Sequence, residues 1–428
     1  MDTNLGCIYT AKFLLSGDAP LLEGGALLVH RGRIVTTGPL SEVIKNHPGL
    51  EVVDYGDALI VPLLINAHTH LELTDFPLWN AGAGEEPPPK DFVAWILRLI
   101  GVKQKLKESH YRYSLRNGIA QSIAAGTGTV GDILSQHAQR YNFKGCPLSG
   151  VLFLETLGQD PAIILRLKNG LDEALDDETI DSLALGISPH SPYTISRDYL
   201  QSLYHNCQSR KIRCTTHVAE SPDEVDFVEQ GTGSLAHRLY PYIGWEQYLP
   251  QPTGLRPLQY IEQQGGLFPE NLLVHGVQLS TDDIALLAKN QMSLALCSRS
   301  NAKLNVGKAP AGALHRAGVN LALGTDSLAS CDSLSIWDEM AFAHQWFEGE
   351  LDAPTLFHMA TRGGAKALGM EKEVGALNIK MRAGFQVLRP KTSVARNEIF
   401  DYFVSPACAN DIIQVYHHGQ PQLPNINL

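Results

Sequence analysis

Between residues 61 and 370, short apolar runs alternate with longer segments of helical periodicity, and this alternation constrains the fold more than any other feature of the chain. Apolar runs bounded by turn residues read as buried strands, and strands separated by helices imply βα units around a parallel sheet. Eight candidate strands can be placed: one ending at His70, then 128–133, 150–156, 183–190, 212–218, 271–277, 292–297 and 319–326. The segment 111–125 reads as the helix between the first two. Eight such units predict a (β/α)8 TIM-type barrel, whose reactive side chains gather at the carboxyl ends of the strands. The polar residues that end these runs are His68, His70, His190, His217, His275 and Asp326.

The flanks differ. Residues 25–30, 33–37, 51–55 and 58–61 are β-branched and apolar around short turns, and 375–388 and 398–404 look similarly strand-like. The expectation is an α/β protein in which 1–60 and 371–428 build a small β-sandwich beside a catalytic barrel at 61–370. A net charge of −11 argues against nucleic acid or an anionic membrane as a partner. No apolar run approaches the roughly 20 residues of a spanning helix, and the first residues lack a basic stretch followed by an apolar one. Seven cysteines without a C-x-x-C pair fit reduced thiols. A cytoplasmic enzyme is expected.

The first barrel strand ends His68-Thr69-His70. Alternate residues of a strand share a face, so the two imidazoles can hold one metal ion, and imidazole suits zinc or iron. Taken alone, the pair is as well explained by surface histidines in a polar loop. Three further stretches change the balance: 215–220 (TTHVAE), 273–276 (LVHG) and 323–327 (LGTDS). In this order the motifs resemble the amidohydrolase superfamily of metal-dependent hydrolases, over nearly the whole chain. Segments 26–40 and 375–388 resemble that family's flanking β-domain. Its two-metal members carry a bridging lysine or glutamate at the end of the fourth strand. Here that strand ends Ile187-Ser188-Pro189-His190, although Glu155 ends the third. His217-x-x-Glu220 resembles the single-metal deaminases instead. The resemblance therefore implies one divalent ion, zinc or iron, on His68, His70, His217 and Asp326. It implies Glu220 as the proton shuttle, His275 as the hydrogen-bond partner of the attacking oxygen, and Asp326 as the carrier of a second proton.

Residues 66–73 (NAHTHLEL), 188–194 (SPHSPYT) and 297–304 (CSRSNAKL) narrow the likeness to deaminases of adenine-containing nucleosides, most similar to the aminodeoxyfutalosine deaminases of menaquinone biosynthesis. The implied reaction converts 6-amino-6-deoxyfutalosine to futalosine and ammonia. The alternatives are S-adenosylhomocysteine, methylthioadenosine, adenosine, guanine or cytosine, or a chlorohydrolase-like cyclic substrate. In that setting His190 contacts the aminopurine nucleoside. Glu72 either bonds a ribose or purine edge or is an acid that opens a helix or supports the ligands from behind. Ser300 and Asn301 either line the pocket or cap a turn. The loop 75–91 precedes Trp95, and Phe76, Trp79 and Trp95 suggest a wall for an aromatic base. The insertion 231–262 either covers the pocket or forms a contact in a homodimer. Cys331, Ser298 and Gly384 stand where the family usually has Asn, Pro and Asp.

Overall fold

The computed structural model describes residues 6–82, 84, 89–176 and 183–422. Its centre is an eight-stranded parallel sheet in consecutive order. The strands are β1 (Leu64–Thr69), β2 (Thr127–Leu134), β3 (Ser149–Thr156), β4 (Ala184–Pro189), β5 (Cys214–Val218), β6 (Asn271–His275), β7 (Ser293–Leu296) and β8 (Asn320–Leu323). Each coincides with one of the apolar runs within a few residues. The sheet curls so that β8 returns to β1, and the two meet through one parallel bridge, Thr69 to Asp326. Side chains stitch this seam. Asn66 donates to the Thr325 hydroxyl at 2.7 Å and accepts from the Thr325 amide at 3.1 Å.

Two further sheets flank the barrel. A four-stranded sheet holds Cys7–Thr10, Gly25–His30, Arg33–Pro39 and Glu51–Asp54. A six-stranded sheet joins both ends of the chain: Phe13–Leu14, Leu22–Glu23 and Leu59–Pro62 pair with Phe385–Leu388, Ile412–His417 and Gln420–Gln422. The run Leu59-Ile60-Val61 is apolar throughout because this sheet is covered on both faces. Ile60 packs into the sandwich core with Leu14, Phe385 and Val387. Leu59 and Val61 point the other way, into the large core shared with the barrel helices. The strand period of two thus divides one short run between two cores.

Two expectations for the C-terminal stretch fail. Residues 398–404 form no strand; Ile399–Phe403 is a helix. The β-branched and aromatic residues of Ile399-Phe400-Asp401-Tyr402-Phe403 favour a strand by type, but Ile399 and Phe403 are four apart and bury one helical face. There Phe403 stacks on Phe357, ring centroids 4.9 Å apart, and packs on Trp337 at 5.4 Å. Within 375–388 only Phe385–Leu388 is a strand, and a further strand, Ile412–His417, lies beyond the stretches expected to be extended. Among the described residues no helix is long and apolar enough to cross a membrane.

Sandwich and barrel are joined by a buried amide. Gln386 accepts from the Trp337 indole at 3.1 Å and donates to the Pro62 carbonyl at 3.1 Å, just before β1. Gly126 leaves room for it, since a Cβ there would sit 2.0 Å from the Gln386 oxygen. Replacing Gln386 by Leu strands the buried Trp337 N–H and the Pro62 carbonyl, and about 2–4 kcal/mol of unfolding free energy should be lost. Urea denaturation measures this; a loss below about 0.5 kcal/mol, the ordinary scatter of a neutral surface substitution, would mean the joint is idle.

Candidate active site

The seam puts its two strands' polar ends together. The Asp326 amide donates to the His68 carbonyl at 3.1 Å, and the Thr69 hydroxyl to the Asp326 carbonyl at 3.0 Å. Asp326 Oδ1 then lies 3.7 Å from His68 Nε2 and 3.5 Å from His70 Nε2. β5 brings His217, whose ring centroid is 4.9 Å from that of His68, and β6 brings His275 at 5.7 Å. Two sets of groups are close enough to share one ion: His68, His70 and Asp326, and His68, His217 and His275. Glu155 belongs to neither.

The donor set fits a metal. His68 is wholly buried, and among the described residues neither ring nitrogen has a hydrogen-bond partner. A buried imidazole without partners is unfavourable by about 1–3 kcal/mol unless something else takes its lone pair. Burial lowers the pKa of His68, His70 and His217, which keeps these rings neutral as ligands must be. His217 is oriented from behind: its Nδ1–H donates to the His190 carbonyl at 2.7 Å, which leaves Nε2 as the lone pair facing the cluster.

The remaining chemistry-bearing groups are fixed in the same manner. Glu220 follows β5, and its carboxylate lies 3.7 Å from His275 Nε2. The turn that presents it is pinned by Glu224, which accepts from the amides of Ala219 at 2.9 Å and Glu220 at 2.8 Å. Ser221 caps the following helix, Pro222–Gln230, by accepting from the Glu224 amide. Burial pushes the Glu220 carboxyl well above its usual range, and the Asp326 charge adds to it; a dication among the histidines would pull it back down. Backbone strain collects here too. Ala219, His275 and Asp326 adopt φ of +52°, +73° and +57°, each costing about 1–3 kcal/mol that the surrounding packing must over-determine.

Above the cluster opens a pocket of about 570 Å³. His190 and Trp95 line it, as do His70, His217, Glu220, His275 and Asp326. The His190 Nε2 stands 4.0 Å from Glu155, and burial pushes the ring's pKa down to about 4. Trp95 stacks on Phe92 at 5.9 Å and donates its indole N–H to the Ala329 carbonyl at 3.1 Å, so this wall is rigid. Phe76 and Trp79 do not line the pocket; they pack behind Tyr111, which does. Residues 83 and 85–88 of the loop 75–91 lie outside the described residues. Leu239, Ile243 and Trp245 do line the pocket, so the insertion 231–262 serves as part of its cover.

Of the alternatives open for Glu72, Ser300 and Asn301, lining the pocket is the one the structure does not take. Glu72 sits in a 3₁₀ turn, Leu71–Leu73, that rotates it behind the wall. It is buried there, accepting from the amides of Ser135 and Gln136, each at 3.2 Å, and from the Ser135 hydroxyl. Ser300 donates to Asp326 Oδ2 at 2.7 Å, joined by Ser330 at 2.8 Å. Asn301 accepts from His275 Nδ1 at 3.0 Å. Both lie on the helix Ser298–Lys303, whose start is held by Glu339 accepting from the Ser298 amide at 2.6 Å. They face the reactive side chains from behind, because a short helix after β7 presents its first turn inward. Ser330 ends the stretch 325–330 (TDSLAS) that continues the 323–327 motif, whereas Lys103 carries no motif. Glu224 had a signal in Ser221-Pro222-Asp223-Glu224, a capping sequence.

With two serine hydroxyls on one oxygen, Asp326 presents the other to the histidines. Converting both Ser300 and Ser330 to Ala should weaken retention of a divalent ion by about 10–100-fold. Chelator competition reads this directly, and unchanged retention would show that the clamp does not orient Asp326.

The model of the amidohydrolase family matches residues 59–421. An aminodeoxyfutalosine deaminase of Deinococcus radiodurans is 29% identical over 374 residues, covering 85% of this chain and 85% of that protein. A 5-methylthioadenosine/S-adenosylhomocysteine deaminase of Thermodesulfovibrio yellowstonii is 25% identical over 434 residues, covering 96% of this chain and 92% of its own. Among solved structures, an adenosine deaminase of Xanthomonas campestris with bound zinc superposes with a TM-score of 0.80 at 22% identity, covering 99% of this chain and 95% of that one.

Proposed function

The chain belongs to the amidohydrolase family and is a hydrolase acting on C–N bonds, and on that premise we propose that it deaminates an adenine-containing nucleoside, 6-amino-6-deoxyfutalosine first among them. The observation that carries this reading is the Glu220–His275 pair, 3.7 Å apart, at the floor of an apolar-walled pocket beside the histidine–Asp326 cluster. His68, His70, His217 and Asp326 hold one divalent ion in this reading, zinc or iron. When bound, such an ion supplies Lewis acidity that makes water a nucleophile near neutral pH.

The protein's own groups do the rest. Glu220 accepts a proton from the attacking water and passes it to the purine ring nitrogen beside the amino-bearing carbon, which makes that carbon electrophilic. His275 donates through Nδ1 to Asn301, so its Nε2 is an acceptor that orients the water's remaining O–H. Asp326, held through Oδ2 by two serines, uses Oδ1 to carry the second proton to the departing amine. Ring, water and leaving group balance as amine plus water to carbonyl plus ammonia. Trp95 and Tyr193 flank the base as flat apolar surface, and His190 contacts it. The relative that acts on methylthioadenosine and S-adenosylhomocysteine supports a second reading, with the same chemistry on a different nucleoside.

Ammonia release by zinc- or iron-loaded protein separates these. The largest kcat/KM is expected on 6-amino-6-deoxyfutalosine, ahead of methylthioadenosine, S-adenosylhomocysteine and adenosine; preference for guanine, cytosine or a chlorotriazine would sink the adenine reading. Metal analysis should find one equivalent per chain, and two would bring Glu155 back as a bridging ligand. Glu220→Gln should retain metal yet lose about 10²–10⁴-fold in kcat, and undiminished turnover would falsify the proton shuttle.

A further inference from the structure

Helix Phe92–Lys103 forms one wall of the pocket and ends with a lysine that the chemistry above does not use. Lys103 lines the same cavity as His70 and Asp326, and its side chain is 26% exposed. Its ammonium lies 3.1 Å from the Ser135 hydroxyl and 4.0 Å from Glu72. Both Glu72 oxygens are already occupied by the Ser135 amide and hydroxyl and the Gln136 amide. An ammonium carries three donors, and beyond Ser135 and Glu72 the pocket that Lys103 lines is where a further acceptor can meet it. It is the one lysine or arginine among the described residues of that lining.

Inside the pocket its charged neighbours are acidic, Glu72 behind the wall and Glu155 in the lining, while cations gather outside. On the outer face of the same helix a groove of about 520 Å³ adjoins the pocket, with Gln104 common to both, and Lys90, Arg98, Lys105 and Arg238 line it. Arg238 pairs with Asp91 at 2.9 Å. In a chain of net charge −11 a local cluster of cations beside the pocket draws anions towards it. The wall between, Leu99 and Ile100, is apolar.

We propose that Lys103 is a specificity residue that anchors a carboxylate at the far end of the nucleoside substrate, so that the preferred substrate class is an adenine nucleoside with an anionic 5′ extension. This rests on the deaminase reading above and sharpens it. Lys103 alone would serve an aryl carboxylate such as that of 6-amino-6-deoxyfutalosine. The amino-acid tail of S-adenosylhomocysteine brings an ammonium beside its carboxylate, which Lys103 repels.

A cycle between enzyme and substrate tests this without relying on any one variant. Wild-type protein and Lys103→Met are assayed on 6-amino-6-deoxyfutalosine and on its methyl ester, with S-adenosylhomocysteine and methylthioadenosine as further arms. A charge-assisted hydrogen bond predicts that wild type prefers acid to ester by about 10–100-fold in kcat/KM, mainly through KM, and that this preference disappears in the variant. Lys103→Arg should keep most of it. An equal response of wild type to acid and ester overturns the inference, even if Lys103→Met fails to fold. A preference that survives in a folded Lys103→Met also overturns it, as does preference for S-adenosylhomocysteine over the aryl acid. Absence of ammonia from every nucleoside overturns the deaminase reading and this inference with it, whereas turnover with no acid preference overturns the inference alone.

Discussion

The structure depends on how the barrel closes. Between β8 and β1 there is one backbone bridge, Thr69 to Asp326, backed by the paired hydrogen bonds of Asn66 with Thr325. A strand's side chains alternate, so a slip of one residue at this seam would turn His68 and His70 away from Asp326. The bidentate Asn66 contact specifies the register, and Asp326 accepts a left-handed backbone to satisfy it. Closure of the barrel and convergence of His68, His70 and Asp326 are therefore one event.

Four of the clustered side chains then lean on buried polar groups behind them. Asp326 has Ser300 and Ser330, His275 has Asn301, His217 has the His190 carbonyl, and the turn carrying Glu220 has Glu224. Behind these, Glu339 holds the helix that carries Ser300 and Asn301. In a low-dielectric interior such networks are rigid when satisfied and costly when broken. That suits groups that must keep a fixed tautomer and direction. Glu72 belongs to this supporting layer: it ties the turn after His70 to the loop after β2.

Most of the barrel was legible in the sequence, because its strands are buried on both faces and read as apolar runs. The sandwich was less so at its C-terminal end. Residues 399–403 have strand-favouring residue types and a helical spacing at once, and packing on the aromatic surface of Phe357 and Trp337 goes with the helix. The site divides in the same way. His68, His70, His217, His275, Glu220 and Asp326 stand at strand ends, where topology alone predicts that they converge. Glu72, Ser300 and Asn301 lie one turn further on, and a single turn of helix decides whether a side chain faces the cavity or its support.

Alone, the sequence determined the order of βα units and the residue types at their carboxyl ends, since hydrophobic period and strand-end position are local properties. Which polar residues meet the pocket and which brace it from behind was left to the tertiary structure. So was the meeting of Lys103 with Glu72 and Ser135, which are 31 and 32 residues away in the chain. Those choices follow from helix rotation and seam register, and both are set by packing against segments remote in sequence.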